Sequence, residues 1–224
     1  MNLGPVPRGA SLSDQVIARL RQQITSGAWP VGSRIPTEPE LVTQLGVARN
    51  TVREAIRALA HNGLLDIRQG SGTWVIATSE LAGVMQRRFA TADPDHITEL
   101  RGTLEAAAAG FAARRRTTDD LERLDMLLGQ REQAWATGVR DAFVDADTAF
   151  HSAVVAASHN DALIALYADL GQVIRESLRG HFGAELRPEE YMDHTRLVDA
   201  IRAQDQGVAT AEAAAHTSSC EAAR

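Results

Sequence analysis

The sequence predicts a mainly α-helical chain in which an N-terminal winged helix-turn-helix is followed by an all-α antiparallel helical bundle. Three observations predict this fold class. Apolar residues recur at helical spacing over most of the 224 residues, with glycine or proline between the helical segments. Two short β-rich runs flank a glycine-containing turn near residue 70. The chain is basic up to residue 78 and acidic afterwards, which favours two domains, 1–78 and 79–224.

Three helices are predicted in the first domain: one with apolar positions from Val16 to Ile24 that ends at Gly27, one over 37–45 and one over 48–62. Ser11 or Ser13 can cap the first helix, and Thr37 can cap the second. Gly46 separates the second helix from the third, and Gly63 provides the C-terminal stop of the third.

A β-hairpin is predicted next, with strands over 64–68 and 73–76 and a turn at 69–72. Helix, tight glycine turn, helix and then hairpin is the order of elements in a winged helix-turn-helix. A linker is expected near 77–80.

The second domain has no comparable strand signal, and its apolar residues follow helical spacing throughout. The predicted helices cover residues 94–116, 117–137, 140–158, 160–182, 188–205 and 207–222. Consecutive helices joined by short turns favour an antiparallel bundle.

Composition excludes several classes of protein. No run approaches 18 consecutive apolar residues, so we expect no membrane span. The start of the chain lacks the apolar stretch of a secretory signal. The single cysteine, Cys220, cannot form an internal disulfide or a cysteine-based zinc module. These features predict a cytoplasmic protein without contact with a membrane.

The third helix carries an arginine stripe. Arg49, Arg53 and Arg57 recur every four residues beside the predicted apolar face, in a domain of net charge +3. Guanidinium groups bind phosphate oxygens and guanine edges, Asn50 can address an adenine, and Thr51 can meet a phosphate at the helix start. The stripe therefore predicts contact with double-stranded DNA. The alternative is a solvated helix face.

The hairpin turn adds Gln69, Gly70 and Ser71 to the predicted DNA-binding set, because small residues allow close approach to a groove. Within the third helix we expect Glu54 to be structural, through a salt link to an arginine.

In the second domain, Asp147 and His151 stand at positions i and i+4 and therefore share one helix face. His194 and His216 are 22 residues apart, a span that fits two antiparallel helices with their rings at one level. One aspartate and three histidines suit zinc, nickel, manganese or iron. The alternatives are a hydrogen bond on a helix surface and histidines satisfied within a core.

The first domain resembles the GntR family of bacterial transcription regulators. The resemblance covers about residues 12–76 and lies in the runs GSRIPTE at 32–38, LGVARNTVREA at 45–55, GLL at 63–65 and GSGTWV at 70–75. It implies that Arg49, Arg53 and Gly70 contact operator DNA. Pro39 stands where many members carry a further DNA-contacting arginine, and Ala48 replaces a capping Ser or Thr.

The second domain resembles the FCD ligand-binding domain of the FadR subfamily. The resemblance lies in RGTLE at 101–105, DTAFH at 147–151, Asn160, the pair at 193–194 and the histidine at 216. It implies that Asp147, His151, His194 and His216 surround one divalent ion per subunit, with zinc as the first choice and nickel, manganese or iron as alternatives.

The same resemblance implies that Arg101 faces an effector pocket, and Asn160 is predicted to bind the effector with it. The alternative for Arg101 is an ion pair with Glu105, one helical turn away. His96, His159 and His181 are predicted to be surface or packing residues.

Together these features predict a homodimeric transcriptional regulator and not an enzyme. We expect a palindromic operator in double-stranded DNA and a small carboxylate effector bound at the metal. One alternative is a metal-dependent hydrolase or lyase with a DNA-binding head, against which no Glu stands one residue from a ligand histidine as in a metalloprotease motif. The other is a regulator whose ion is purely structural.

Overall fold

The computed structural model describes residues 11–183 and 185–222, and the chain divides into two compact units, with the boundary in the sequence between Arg87 and Arg88. The helices and strands are α1 Leu12–Thr25, α2 Glu38–Leu45, α3 Arg49–His61, β1 Leu65–Arg68, β2 Gly72–Val75, α4 Glu80–Phe89, α5 Pro94–Arg115, α6 Thr118–Ala136, α7 Arg140–Ala157, α8 Asp161–His181, α9 Thr195–Arg202 and α10 Gln206–Ala222. A three-helix head with a hairpin precedes a helical bundle, which confirms the predicted fold class.

The N-terminal helices start at their predicted caps. The Ser11 hydroxyl accepts a hydrogen bond from Asp14 N at 3.1 Å, and the Asp14 carboxylate accepts one from Ser11 N at 2.9 Å. Thr37 precedes α2, and its backbone N–H donates to the Glu40 carboxylate at 2.7 Å. Ala48 is the N-cap of α3 and supplies no side-chain bond there, as its methyl group dictates.

Helices α1, α2 and α3 enclose one apolar core with the hairpin. Its buried members are Val16, Leu20, Ile24, Ile35, Leu41, Val52, Ala55, Ile56, Leu59, Leu64, Leu65 and Val75. Because α3 buries one face in this core, its other residues remain on the surface of the unit.

Strands β1 and β2 pair antiparallel, and Arg34, in the segment before α2, forms an isolated bridge with Trp74 of β2. The Gly32 N–H donates to the Val75 carbonyl at 2.8 Å, and the Ile35 N–H donates to the Thr73 carbonyl at 2.9 Å. Gly70 has a φ of +76° in the turn, a conformation that glycine adopts without strain.

Helix α4 was not predicted, and the predicted domain boundary at 78/79 lies before it. Most of α4 belongs to the first compact unit. Gly83 explains part of this placement, since a Cβ there would lie 2.3 Å from the Gly63 carbonyl oxygen. Close packing of α4 against the end of α3 therefore depends on a glycine.

The C-terminal unit contains α5 to α10. Its main apolar cluster is formed by Ala109, Ala112, Ala113, Leu124, Leu127, Phe150, Ala153, Val154, Ala157, Leu197, Val198, Ala200, Ile201, Ala209 and Ala213. Small residues let α5 and α10 approach closely, and a Cβ on Gly110 would lie 2.6 Å from Thr210 Oγ1.

Among the described residues, no helix combines the length and apolar character required to cross a membrane.

The predicted helix over 188–205 is wrong in its first half. Pro188–Glu190 forms a single 3-10 turn, and α9 begins only at Thr195. The Asp193 carboxylate accepts hydrogen bonds from Thr195 N at 2.8 Å and Thr195 Oγ1 at 2.6 Å, which satisfies donors at the helix start. His194 is therefore the N-cap residue of α9 and not an interior helical residue.

Candidate nucleic-acid interface and metal centre

Helix α3 exposes most of the predicted arginine stripe. Val52, Ile56 and Leu59 are buried in the core of the N-terminal unit. Arg49 and Arg57 are exposed, and their guanidinium groups are available to an anionic surface. The helical spacing that buries the apolar residues thus also determines which arginines reach solvent.

Glu38, at the start of α2, holds two of these arginines. Its carboxylate accepts hydrogen bonds from Arg49 Nε at 3.0 Å and Arg53 Nη2 at 3.1 Å. The hydrogen bonds from Arg53 and then Arg49 lower the pKa of Glu38, which favours its charged form. Glu54 was expected to make the salt link, but its carboxylate instead accepts a hydrogen bond from the Ser13 hydroxyl at 2.8 Å.

The remaining predicted DNA-binding residues lie at the start of α3 and in the hairpin turn. Asn50 is exposed and Thr51 is half-buried. Gln69, Gly70 and Ser71 are all exposed in the turn between β1 and β2. All five therefore belong to the surface of the N-terminal unit, as DNA contact requires.

One groove of this unit joins α2, α3 and the hairpin, with Glu38, Ile56 and Gln69 in its walls. Arg34 lines the same groove and is exposed, although the sequence analysis missed it. A Cβ on Gly72 would lie 2.4 Å from Arg34 Nε, so the glycine leaves room for this side chain. Arg34 lies outside any helix, where helical periodicity offers no signal.

Three of the four predicted metal ligands converge in the C-terminal unit. Asp147 and His151 lie one turn apart on α7, and the N-cap of α9 brings His194 beside them. One donor atom from each lies within 4.8 Å of the other two, and all three side chains are buried. The two Nε2 atoms of the histidines are 3.1 Å apart, a spacing suited to nitrogens that share one ion at about 2.0–2.1 Å. A carboxylate and two imidazoles are donors that divalent transition metals accept, so the cluster fits a metal ion.

His216, the fourth predicted ligand, lies beside this cluster on α10. Its ring stacks on that of His194 with centroids 3.9 Å apart, and it lines the same cavity. His216 is outside the group formed by Asp147, His151 and His194, whose donor atoms lie within 4.8 Å of one another. Burial lowers the pKa of His216 to about 4 and lowers the pKa of His194 further, which favours neutral rings. His194 Nδ1 lies 2.9 Å from the Met192 carbonyl, so Nε2 is the nitrogen left for an ion.

Two buried arginines neutralise Asp147. Its carboxylate accepts hydrogen bonds from Arg131 Nε at 2.7 Å and Arg101 Nη2 at 3.1 Å. Burial would raise the pKa of Asp147, but the positive charges of His151 and Arg101 hold it well below its usual value. Arg101 also forms an ion pair with Glu105, with Nε 2.6 Å from Oε1. This pair is the role that the sequence analysis gave as the alternative to facing an effector.

Arg131, on α6, is a site residue that the sequence analysis missed. It is 2% exposed, its Nη1 donates to the Met192 carbonyl at 2.9 Å, and its guanidinium lies 5.0 Å from the Phe143 ring centroid. A signal was available, because Arg131 continues the helical face of Leu124 and Leu127. A charged residue on an apolar stripe indicates a buried partner.

Glu105, on α5, lies behind the His151 ring. One of its oxygens accepts a hydrogen bond from the Tyr167 hydroxyl at 2.5 Å, and the other lies 2.8 Å from His151 Nδ1. Burial opposes ionisation, but the charges of Arg101 and His151 lower the pKa of Glu105 to about 2. Burial would lower the pKa of His151, but the negative charge of the Glu105 carboxylate outweighs burial and raises it. The sequence indicated Glu105 only as a partner of Arg101, and Tyr167 was missed.

A cavity of about 30 Å³ adjoins the cluster. Its walls include all four predicted ligands, both arginines and further residues, among them Ile97, Thr98, Ile174, Ser177, Leu178 and His181. His181, predicted to be a surface or packing residue, is half-buried and is one of the residues in these walls. Asn160 does not line this cavity, because its side-chain oxygen accepts a hydrogen bond from Leu163 N at 3.3 Å as the N-cap of α8.

Comparisons with known proteins identify the family to which the chain belongs. The family model described as bacterial regulatory proteins, gntR family, matches residues 12–75, and the FCD domain model matches residues 96–219. The galactonate operon transcriptional repressor of Escherichia coli K12 is 30% identical over 203 residues, which cover 86% of this chain and 88% of that protein. The HTH-type transcriptional regulator LutR of Bacillus subtilis 168 is 30% identical over 209 residues, covering 88% and 94%.

A solved structure, the GntR protein of Streptococcus agalactiae, is 30% identical and has a TM-score of 0.54. The match covers 95% of this chain and 100% of that one. The two family models fall on the two compact units, and the relatives match over most of their lengths. The chain therefore belongs to the GntR family of bacterial, metabolite-responsive transcriptional regulators, carries an FCD domain in its C-terminal unit, and is not an enzyme.

Proposed function

We propose that this regulator binds an inverted-repeat operator as a homodimer and that a small carboxylate, held beside a divalent ion, adjusts its affinity for DNA. The observation that carries the proposal is the buried cluster of Asp147, His151 and His194 beside two arginines. Asp147 and Glu105 balance the charges of Arg101 and Arg131, so a divalent ion would supply the net positive charge of the centre. Such a centre suits an anionic ligand.

The exposed side of α3 and the hairpin turn support the DNA-binding part. Arg49, Arg53 and Arg57 would bind phosphates and guanine edges, and Asn50 would address an adenine. In a symmetric dimer, two copies of α3 can occupy major grooves about 34–36 Å apart, which requires an operator with two-fold symmetry.

Asp147, His151 and His194 would hold the ion, with His216 as a fourth ligand from α10. Zinc is our first choice, and the same donors suit nickel, manganese or iron. When bound, the ion supplies a Lewis-acidic positive charge that attracts an anionic oxygen.

The residues around the cavity support a compact acid as the effector. Arg101 and Arg131 contribute positive charge, and the hydroxyls of Thr98 and Ser177 can donate hydrogen bonds. A cavity of about 30 Å³ admits roughly two water-sized groups, which suits a carboxylate better than a bulky ring. Asn160 is not part of the proposed site, since its side chain caps α8.

The cavity volume makes short hydroxy acids the first to test, and the relative named as a galactonate operon repressor adds galactonate as a larger acid for comparison. Placement in the FadR subfamily, homodimerisation and a cytoplasmic location belong to the same proposal.

Fluorescence anisotropy tests the proposal with full-length protein, a promoter fragment from beside its own gene and a random duplex of equal length. We expect preference for the promoter fragment, and a change of about 5–150-fold in affinity when acid and ion are both present. His194→Ala should abolish that response, whereas His96→Ala, at an exposed position, should keep it. Equal affinity for promoter and random DNA would refute the operator. Loss of folding on chelation, without any response to acids, would favour a structural ion.

A further inference from the structure

Three buried side chains on three helices form a chain that ends at one proposed metal ligand. The Tyr167 hydroxyl on α8 donates to Glu105 Oε1 on α5 at 2.5 Å, and Glu105 Oε2 lies 2.8 Å from His151 Nδ1 on α7. Tyr167 is 3% exposed and Glu105 is 1% exposed. Water therefore has little access to these contacts, and their geometry depends on the three residues themselves.

The two histidines of the cluster are supported differently. His194 Nδ1 lies against a neutral carbonyl, that of Met192. His151 Nδ1 lies against a carboxylate, that of Glu105. A carboxylate behind a ligand histidine fixes the ring orientation and increases the electron donation of the other nitrogen to a metal. His151 is thus the ligand whose metal affinity depends on a charged neighbour.

Tyr167 acts one step farther from the ion. The Glu105 carboxylate already accepts from Arg101 Nε at 2.6 Å, and the tyrosine hydroxyl provides a second donor to the same oxygen, Oε1. Two donors on Oε1 leave Oε2 to face His151. Removal of the hydroxyl leaves Arg101 as the remaining described donor to Oε1, so the carboxylate is held less firmly, while the aromatic ring still fills the core.

We infer that Tyr167 and Glu105 are positioning residues that orient His151 and thereby set the affinity of this centre for its divalent ion. The inference rests on the proposed metal site and assigns to these two residues a role that none of the predicted ligands performs.

The test uses full-length protein, with zinc alone as the probe, titrated against a competing chelator. Glu105→Gln should weaken zinc binding about 10–100-fold, and Tyr167→Phe about tenfold. The matched control is Tyr191→Phe, which removes the same atom from the other tyrosine of the chain, a side chain packed on Trp135 with centroids 5.3 Å apart. This control should bind zinc as the unsubstituted protein does. The double variant should be no weaker than Glu105→Gln, because Tyr167 acts through Glu105.

Two further measurements separate positioning from mere structural support. The visible spectrum of the cobalt-loaded protein should change in Tyr167→Phe, because the spectrum reports the ligand field of the ion. A Tyr167→Phe protein that is less stable in chelator, yet keeps its zinc affinity and cobalt spectrum, would overturn the inference and leave the metal site intact. An unsubstituted protein that binds neither zinc nor cobalt would overturn the metal site and this inference together.

Discussion

Replacing Asp147 by asparagine should destabilise the C-terminal unit even without any ion. Asp147 is 4% exposed and is the acidic partner shared by Arg131 and Arg101. After the change Arg101 keeps Glu105, whereas Arg131 keeps only the Met192 carbonyl among its described polar contacts. A buried charge that loses its partner costs about 3–5 kcal/mol. That is a large part of the roughly 5–15 kcal/mol by which proteins are stable.

Urea unfolding in chelator measures this loss at pH 7. Trp135 reports on the C-terminal unit, so the experiment uses a Trp29→Phe/Trp74→Phe background that silences the tryptophans of the N-terminal unit. The control is the double variant D147N/R131M, which removes the orphaned charge and should recover most of the stability. A loss below about 1 kcal/mol in D147N would refute the reasoning, because it would show that the arginines do not depend on Asp147.

The pH dependence has a definite sign. The pKa of Asp147 in the folded protein lies well below its usual value, so folding favours the ionised carboxylate. Its contribution is complete above the ordinary aspartate pKa and disappears as the pH falls through the lowered value. The difference between D147N and the unsubstituted protein should therefore persist at pH 5 and shrink only in strong acid.

Four further changes test other parts of the molecule. Arg49→Ala should weaken binding to any duplex and lower the slope of log affinity against log salt by about one, measured by anisotropy. Glu38→Gln should raise affinity for random duplex about fivefold, the equivalent of about 1 kcal/mol, because a negative charge leaves the arginine stripe. Zinc affinity should fall about tenfold per pH unit below the raised pKa of His151, since the ion must displace its proton. Asn160→Ala should cost about 1 kcal/mol in urea unfolding and leave effector affinity unchanged, because the residue caps α8.

For each of these four predictions, one result would contradict the reasoning. An unchanged salt slope in Arg49→Ala would place that side chain away from the phosphates. Weaker binding of Glu38→Gln to random duplex would mean that the carboxylate orders the arginines more than it repels DNA. Zinc affinity that does not vary with pH would exclude displacement of a proton, and lost effector binding in Asn160→Ala would return that residue to the ligand site.

Local patterns in the chain predicted what local interactions produce. The capping residues Ser11 and Thr37 mark the starts of α1 and α2, because a cap joins groups only three residues apart. Asp147 and His151 could be placed on one face for the same reason, since α-helical geometry alone brings positions i and i+4 together.

Contacts between distant segments required the folded chain. Tyr167 and Glu105 are 62 residues apart, and no periodicity pairs them. His194 owes its place to the turn that precedes α9, where a continuous helix was predicted. Residue spacing specifies which face of a helix is apolar, but the packing of α5, α6, α7 and α8 against one another selects which buried polar groups meet. In an interior without water, the contacts that are stable are those in which opposite charges compensate each other.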